Sequence, residues 1–224
     1  MADKNNRGGW GLALLGGTIV AAIIVGNGGM PKFASVKTDT GAAQAVQAAP
    51  PAVPIIPVTG KLPCPTPGFV VTQEFGQHGV QGEPTYQGKV NFHEGIDLAG
   101  LGGEPATAGV PIHAAAAGRV TFAGLDPPTA RNPNSGQGNQ VRIYNGSWVF
   151  IYDHLSGFNT HPGADVKTGD VIGFVGDTGF SSASHLHFGI SLNGISDMWA
   201  GQWDDPAKYL TLVFDRGSGY LKCI

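Results

Sequence analysis

The sequence of 224 residues predicts a mostly β fold, with a single antiparallel, sheet-rich domain over residues 62–224. Composition is one reason: only 13% of the residues are charged, while glycine occurs 36 times and proline 16 times. That balance suits a turn-rich β protein better than a helical bundle. The pattern after residue 68 is the second reason, because short β-branched and aromatic runs alternate with Gly, Pro, Asn and Asp. No window in this region has the periodicity of a long amphipathic helix.

The turn residues between the runs indicate how the predicted strands connect. Asn145-Gly146 separates two of them and favours a tight hairpin. Residues 125–138 are rich in Gly, Pro and Asn, and predict an exposed loop of the kind that borders binding grooves. Residues 204–210, with Pro206 near the start, predict one short helical turn. The predicted strands fall within residues 69–75, 118–124, 139–145, 147–155, 170–176 and 185–192.

Residues 1–30 differ from the rest because they carry no charged residue from position 8 onward. Their apolar centre follows Lys4 and Arg7 and predicts an apolar helix that anchors the chain in a membrane. The folded domain would then be extracytoplasmic, in the periplasm or at the cell surface. A cleaved signal peptide is an alternative, although no A-x-A-like site follows. A segment packed inside a larger assembly is another.

Residues 31–61 are rich in Ala and Pro and predict an extended, semi-rigid linker. Eight of the sixteen prolines fall between Pro31 and Pro67, which supports this interpretation. The net charge of −3 and the lack of any Lys or Arg run argue against a nucleic-acid-binding surface.

The two cysteines, Cys64 and Cys223, bracket everything that follows the linker. In an exported protein, such a pair predicts a disulfide that fastens the two ends of the domain. The alternative is two unrelated thiols.

Two histidines flank one leucine in "SSASHLHFGI", residues 181–190. In a strand, residues i and i+2 point to the same face, so His185 and His187 would project together while Leu186 and Phe188 faced the core. Two neighbouring imidazoles suit a metal site or a proton-transfer site. Two polar residues on a solvated face would give the same pattern.

Two other stretches carry residues of similar chemistry. His93 and Asp97 in "HEGID" fit one face of a helix or a turn that enters a strand, and a surface acidic turn is the plainer alternative. His154 ends a strongly apolar run in "YDHLS", where an ordinary strand-end polar residue would also fit. His93, Asp97 and one of the paired histidines could supply the three protein ligands of a hydrolytic zinc site. The remaining histidines would then move protons.

The order of these motifs resembles that of the lysostaphin/LytM-type zinc metallopeptidases, which are peptidoglycan hydrolases. The resemblance covers residues 68–210 and includes "HEGID", "YDHLS" and "HLHFGI" at compatible spacing. It implies a small β domain with a narrow groove, a Zn²⁺ cofactor, and cleavage of peptide bonds in bacterial peptidoglycan. Position by position, it implies that His93, Asp97 and His187 are metal ligands. It also implies that His154 and His185 are catalytic.

Two departures from the family pattern concern positions without a ligand or catalytic role. Ala183-Ser184 stands where Gly-Pro is usual before the histidine pair, and Gly189 stands where Glu is common. Both indicate a change in groove shape. Since some relatives have lost their ligands and only activate other hydrolases, a catalytically silent activator or wall-binding scaffold is the alternative function. A cupin-like barrel would need a Glu downstream of His-x-His, which residues 188–197 lack.

The anchor and linker suit an enzyme that acts on a solid polymer, because a tether raises its local concentration at the wall. The same layout would suit a wall-opening enzyme carried in a phage virion. The sequence does not separate these two settings.

Overall fold

The computed structural model describes residues 14–15, 18–19, 60–78, 80–81, 83, 85–126, 136–192 and 202–224. The chain divides into two compact units, Met1–Pro50 and Pro51–Ile224.

In the first unit, strands β1 (Leu14–Leu15) and β2 (Thr18–Ile19) form an antiparallel pair. At these four positions the sequence predicted a helix. Gly16-Gly17 separates the two strands in the sequence, and this dipeptide favours a hairpin turn over a helix. The rest of the predicted anchor, and the predicted linker up to residue 59, lie outside the described residues. Among the residues that the structure does describe, no helix reaches the length and apolar character that a membrane crossing requires.

The second unit is built mainly from short antiparallel strands. They are β3 (Val70–Gln73), β4 (Gly95–Ala99), β5 (Pro111–His113), β6 (Gly118–Asp126), β7 (Gly138–Tyr144), β8 (Trp148–Asp153), β9 (Gly157–Phe158), β10 (Asp165–Val166), β11 (Val171–Phe174), β12 (Leu186–Leu192), β13 (Gln202–Asp204), β14 (Leu212–Asp215) and β15 (Tyr220–Cys223). Within the described residues, ten of these strands form one sheet in the order β10-β6-β7-β8-β12-β4-β3-β15-β14, with β13 also paired to β12. A smaller sheet has the order β5-β11-β9.

Helical structure is confined to two short pieces of the described chain. Helix α1 (Glu104–Thr107) follows β4, and a 3-10 turn (Pro206–Lys208) follows β13. The side chain of Asp205 caps this turn by accepting a hydrogen bond from the backbone N–H of Ala207. The fold class predicted from the sequence, mostly β and antiparallel, is therefore confirmed, as is the predicted short turn.

Each of the six predicted runs coincides with a strand. The hairpin at Asn145-Gly146 is also present: Tyr144 pairs with Val149, and the Asn145 N–H donates to the Trp148 carbonyl. The predicted loop is shorter than expected. Strand β6 extends to Asp126 and β7 begins at Gly138, because the two strands continue their ladder along both sides of the segment. Residues 127–135 lie outside the described residues.

Strand β12 occupies the centre of the large sheet, between β4 and β8. Its side chains at Leu186, Phe188 and Ile190 are fully buried, as the two-residue period predicted. His187 lies between Leu186 and Phe188 in the strand, so it projects from the opposite face. The core thus fixes the direction of this histidine.

The predicted disulfide is confirmed. Cys64 and Cys223 are bonded, with their Cα atoms 5.6 Å apart, and both are buried. The bond joins the start of the folded unit to its last strand, β15, which also pairs with β3 through Lys222 and Val70.

Candidate metal centre and catalytic cleft

Three neighbouring strands bring the predicted site residues together. His187 on β12 lies directly opposite Asp97 on β4, and residues opposite each other in a sheet share a face. His93 lies two residues before β4. His154 follows directly after β8, the strand on the other side of β12. His185 lies one residue before β12.

The side chains of His93, Asp97 and His187 converge on one point. His93 Nε2 lies 3.0 Å from His187 Nδ1, and both nitrogens lie 3.1 Å from Asp97 Oδ1. Two ligands at about 2.0–2.1 Å from a tetrahedral zinc are separated by about 3.3 Å, so the observed spacing suits such an ion. All three residues are buried, and they are the group in the described chain that could hold a metal. The residues present therefore fit a metal with one open position.

Two neighbours orient these donor atoms. The backbone carbonyl of Glu74 can only accept, so His93 Nδ1, 3.0 Å away, carries a proton, and Nε2 is the nitrogen whose lone pair a metal would use. Gly95 makes room for the His187 ring. A Cβ at this glycine would lie 2.7 Å from His187 Nε2 and 2.6 Å from the Phe188 carbonyl oxygen. The glycine of "HEGID" is thus required by close packing against β12.

Charge and burial act in opposite directions on the three groups. Burial raises the pKa of Asp97, but hydrogen bonds with His187 and His93 outweigh it and hold this pKa well below its usual range. Burial lowers the pKa of His93, but the hydrogen bond and charge of Asp97 outweigh it and raise this pKa to about 9. Burial lowers the pKa of His187. Asp97 is therefore an ionised carboxylate, the form that binds metals.

His154 lies beside this centre, with its ring centroid 4.7 Å from that of His185 and 6.0 Å from that of His187. Its Nδ1 donates to the backbone carbonyl of Thr178 at 2.8 Å, so Nε2 of the neutral ring is the proton acceptor. Burial, together with the positive charges available to His185 and His187, lowers the pKa of His154 to about 3. The ring is consequently neutral near pH 7.

His185 is held in the same region by its other nitrogen. Its Nδ1 lies 2.8 Å from the Ala183 carbonyl and 3.3 Å from Ser181 Oγ. Its Nε2 lies 3.6 Å from Asp97 Oδ1, so the carboxylate faces this side of the ring as well. The five residues predicted from the sequence are thus gathered into one cluster, while their individual roles stay predictions.

Comparison with known proteins identifies the domain. The family model for Peptidase family M23 matches residues 91–197, which include all five histidine and aspartate positions of the cluster. The chain carries a Peptidase family M23 domain. The predicted resemblance to lysostaphin/LytM-type enzymes is confirmed.

The M23 domain has several curated relatives. The DD-carboxypeptidase/endopeptidase Mpg of Neisseria meningitidis serogroup B is 41% identical over 104 residues, which are 46% of this chain and 21% of that protein. Lysostaphin of Staphylococcus simulans is 35% identical over 116 residues, 51% of this chain and 20% of that protein. The glycyl-glycine endopeptidase ALE-1 of Staphylococcus capitis is 35% identical over 114 residues, 50% of this chain and 27% of that protein. The matched part is thus a fifth to about a quarter of each relative.

Among solved structures, the catalytic domain of the antimicrobial peptidase lysostaphin from S. simulans aligns with a TM-score of 0.49 and 29% identity. The alignment covers 63% of this chain and 91% of that domain.

The cluster of His93, Asp97 and His187 opens into a cleft of about 260 Å³. The cleft is also lined by side chains to which the sequence pattern assigned no role, and most of them are polar. Glu94 stands inside the quoted motif "HEGID", but nothing in the sequence shows that its side chain is buried or which group it meets. The added lining residues include Gln73, Glu83, Glu94, Gln137 and Phe180.

Three other histidines, His78, His113 and His161, are not among the residues that line the cleft. His78 and His161 are exposed, and His113 Nδ1 is bonded to the Gly169 carbonyl at 2.9 Å. His161 is therefore a suitable control position for substitutions in the cleft.

Proposed function

We propose that this chain is a zinc-dependent endopeptidase that hydrolyses peptide bonds in bacterial peptidoglycan. The observation that carries the proposal is the convergence of His93, Asp97 and His187 within 3.1 Å of one another, beside two further histidines in an open cleft. Relatives that are named as endopeptidases support the reaction type. The substrate rests on the family resemblance.

Zinc held by His93, Asp97 and His187 would lower the pKa of a bound water and polarise the scissile carbonyl. His154 is suited to accept a proton from that water. Its Nδ1–H is committed to Thr178, so Nε2 of the neutral ring carries the lone pair that can take up a proton.

His185 is suited to the complementary task. Its Nδ1 is engaged by the Ala183 carbonyl, and its Nε2 faces the cleft near Asp97. When protonated, this ring would donate to the developing oxyanion or to the leaving amine. The two histidines would therefore divide proton acceptance and donation between two neighbouring rings.

The test is digestion of peptidoglycan sacculi from several wall types, with mass spectrometry of the soluble products. Digestion would be run with a chelator and again after zinc is restored. Zinc-dependent release of fragments with new amino and carboxyl ends is the expected result. No release on any wall type, with zinc confirmed bound, would instead favour the silent activator or wall-binding scaffold.

Alanine variants assign the individual roles in the same assay. His187→Ala should lose stoichiometric zinc. His154→Ala and His185→Ala should retain zinc and lose about 10²–10⁴-fold in turnover, the usual contribution of a general acid or base. His161→Ala, at an exposed position outside the cleft, should resemble the wild type. Near-normal turnover of either catalytic variant would contradict its assigned role.

We also propose that residues 1–30 anchor the chain in a membrane, with the catalytic domain extracytoplasmic. The support is the charge-free apolar stretch and the basic residues before it. Deletion of residues 1–30 should move the protein from the membrane fraction to the soluble fraction. Continued sedimentation with lipid would refute the anchor, and co-purification with phage particles would place the segment in a virion instead.

A further inference from the structure

His154 has an unusual backbone conformation that requires support from its neighbours. Its φ is +67°, in the left-handed region that non-glycine residues seldom adopt. Such residues persist only where the surrounding structure fixes them. Two hydrogen bonds do so here: the backbone N–H donates to the Gln137 carbonyl at 3.2 Å, and the ring Nδ1 donates to the Thr178 carbonyl at 2.8 Å.

Gln137 is itself held from the metal side of the cleft. Its side-chain Nε2 donates to Glu94 Oε1 at 2.7 Å, and both residues are buried, with exposed fractions of 8% and 1%. Glu94 is the residue directly after the ligand His93. One continuous path therefore runs from the ligand-bearing turn, through the Glu94 and Gln137 side chains, to the backbone of His154.

The residue after Gln137 limits its freedom further. Gly138 has a φ of +70°, and a Cβ there would lie 2.4 Å from the carbonyl carbon and oxygen of Thr178. The chain at Gln137 is thus packed against the same segment that accepts the His154 ring proton. Both acceptors of His154 belong to one packed unit, and the Glu94 side chain ties that unit to the metal turn.

Burying the polar side chains of Glu94 and Gln137 costs free energy of hydration, which indicates that the pair has a role other than stabilising the fold. Polar groups lose hydration on burial, and a well-packed apolar pair of similar volume often stabilises a fold as well or better. We propose that Glu94 and Gln137 are positioning residues, whose buried hydrogen bond fixes His154 relative to the metal centre. This inference rests on the proposed function for its catalytic meaning.

The test compares single variants with an exchange of the two side chains in the full chain. Glu94→Leu and Gln137→Leu each remove the bond. Glu94→Gln combined with Gln137→Glu restores a pair of one carboxyl and one amide side chain in reversed order. Loss of partners that orient a metal-site group typically costs about 10–100-fold, so each single variant should lose about that factor in kcat with little change in KM. The double variant, with the two side chains swapped, should recover most of the lost kcat. Gln202→Leu, at an exposed position outside the cleft, controls for the change from amide to apolar side chain.

Two readouts separate positioning from a general structural defect. Zinc content should stay stoichiometric in every variant. The hydrogen-exchange rate of the His154 backbone N–H, measured by NMR, should rise at least tenfold in the single variants. In the double variant with the two side chains swapped, this rate should return towards that of the wild type. The inference would be overturned if the single variants kept both the wild-type kcat and the wild-type hydrogen-exchange rate of the His154 N–H. It would also be overturned if the double variant with the two side chains swapped recovered neither quantity.

The hydrogen-exchange measurement does not depend on catalysis, so it tests the positioning of His154 separately from the proposed function. A wild-type protein that releases no wall fragments would refute the endopeptidase proposal. The exchange rates of His154 would still show whether Glu94 and Gln137 hold it.

Discussion

The disulfide between Cys64 and Cys223 should contribute a large share of the stability of the folded unit. It closes a loop with a sequence separation of 159 residues. In the chain-entropy model, cross-linking a loop of this length lowers the entropy of the unfolded chain enough to stabilise the fold by about 5 kcal/mol. Typical domains have about 5–15 kcal/mol in total. Reduction should therefore remove between a third and all of the stability of an average domain.

The assay is urea unfolding followed by circular dichroism, on the oxidised protein and on the same protein kept reduced. This comparison leaves both buried sulfur atoms in place and changes only the cross-link. The free energy of unfolding should fall by about 5 kcal/mol. The unfolding midpoint temperature should fall by about 10–20 °C, at about 2–4 °C per kcal/mol for a chain of this size.

A matched pair of variants checks the cause. Cys64→Ala breaks the bond with one substitution, and Cys64→Ala combined with Cys223→Ala breaks it with two. If the cross-link is responsible, the double variant should be little less stable than the single. A loss below about 1 kcal/mol on reduction would refute the reasoning, because β15 would then be held by its pairing with β14 and β3 without the cross-link.

Two further predictions concern buried polar groups. Tyr152→Phe should destabilise the fold by about 1–3 kcal/mol in urea unfolding, because the buried Tyr152 hydroxyl accepts a hydrogen bond from the Ala115 N–H, which would lose its partner. Tyr220→Phe, at an exposed position, should change little, and equal effects would contradict the explanation. Burial raises the pKa of Glu94 from 4.5 to about 7, so the native state holds a proton that the unfolded state releases. The protonated Glu94 side chain therefore contributes fully to the free energy of unfolding below about pH 4.5. This contribution is lost as the pH rises through 7, and the total loss is about 3 kcal/mol. Glu94→Gln should flatten that part of a stability-against-pH curve, and an unchanged slope would refute the assignment.

Features of the fold that depend on neighbouring residues were predictable from the sequence. The alternation in "HLHFGI" predicted that Leu186 and Phe188 are buried, and both are fully buried. Asn145-Gly146 predicted the β7–β8 hairpin, which is present. In each case the signal lies within a few residues, and the side chain or turn requirement follows from backbone geometry alone.

Other features depend on which segments pair, and the sequence does not encode that locally. Glu94 and Gln137 are 43 residues apart, and their hydrogen bond exists only because β4 and the start of β7 reach the same side of the cleft. Strands β14 and β15 were missed because residues 211–223 are mixed in polarity and mostly not buried. Their pairing is set by contacts with each other and with β3.

Two aspartates flank His187, and only one of them belongs to the candidate metal site. On β12, His187 lies opposite Asp97 on one side and Asp153 on the other, so two carboxylates flank it in the same row of the sheet. Burial raises the pKa of Asp153 well above its usual range, which keeps it protonated and poorly suited to bind a metal. Asp97 is also buried, but the hydrogen bonds with His187 and His93 keep it ionised. Asp97 lies within an apolar strand sequence and Asp153 ends one, so the sequence periodicity does not distinguish the two as metal ligands. The difference between them is His93, which lies in the turn before β4 and forms a hydrogen bond with Asp97.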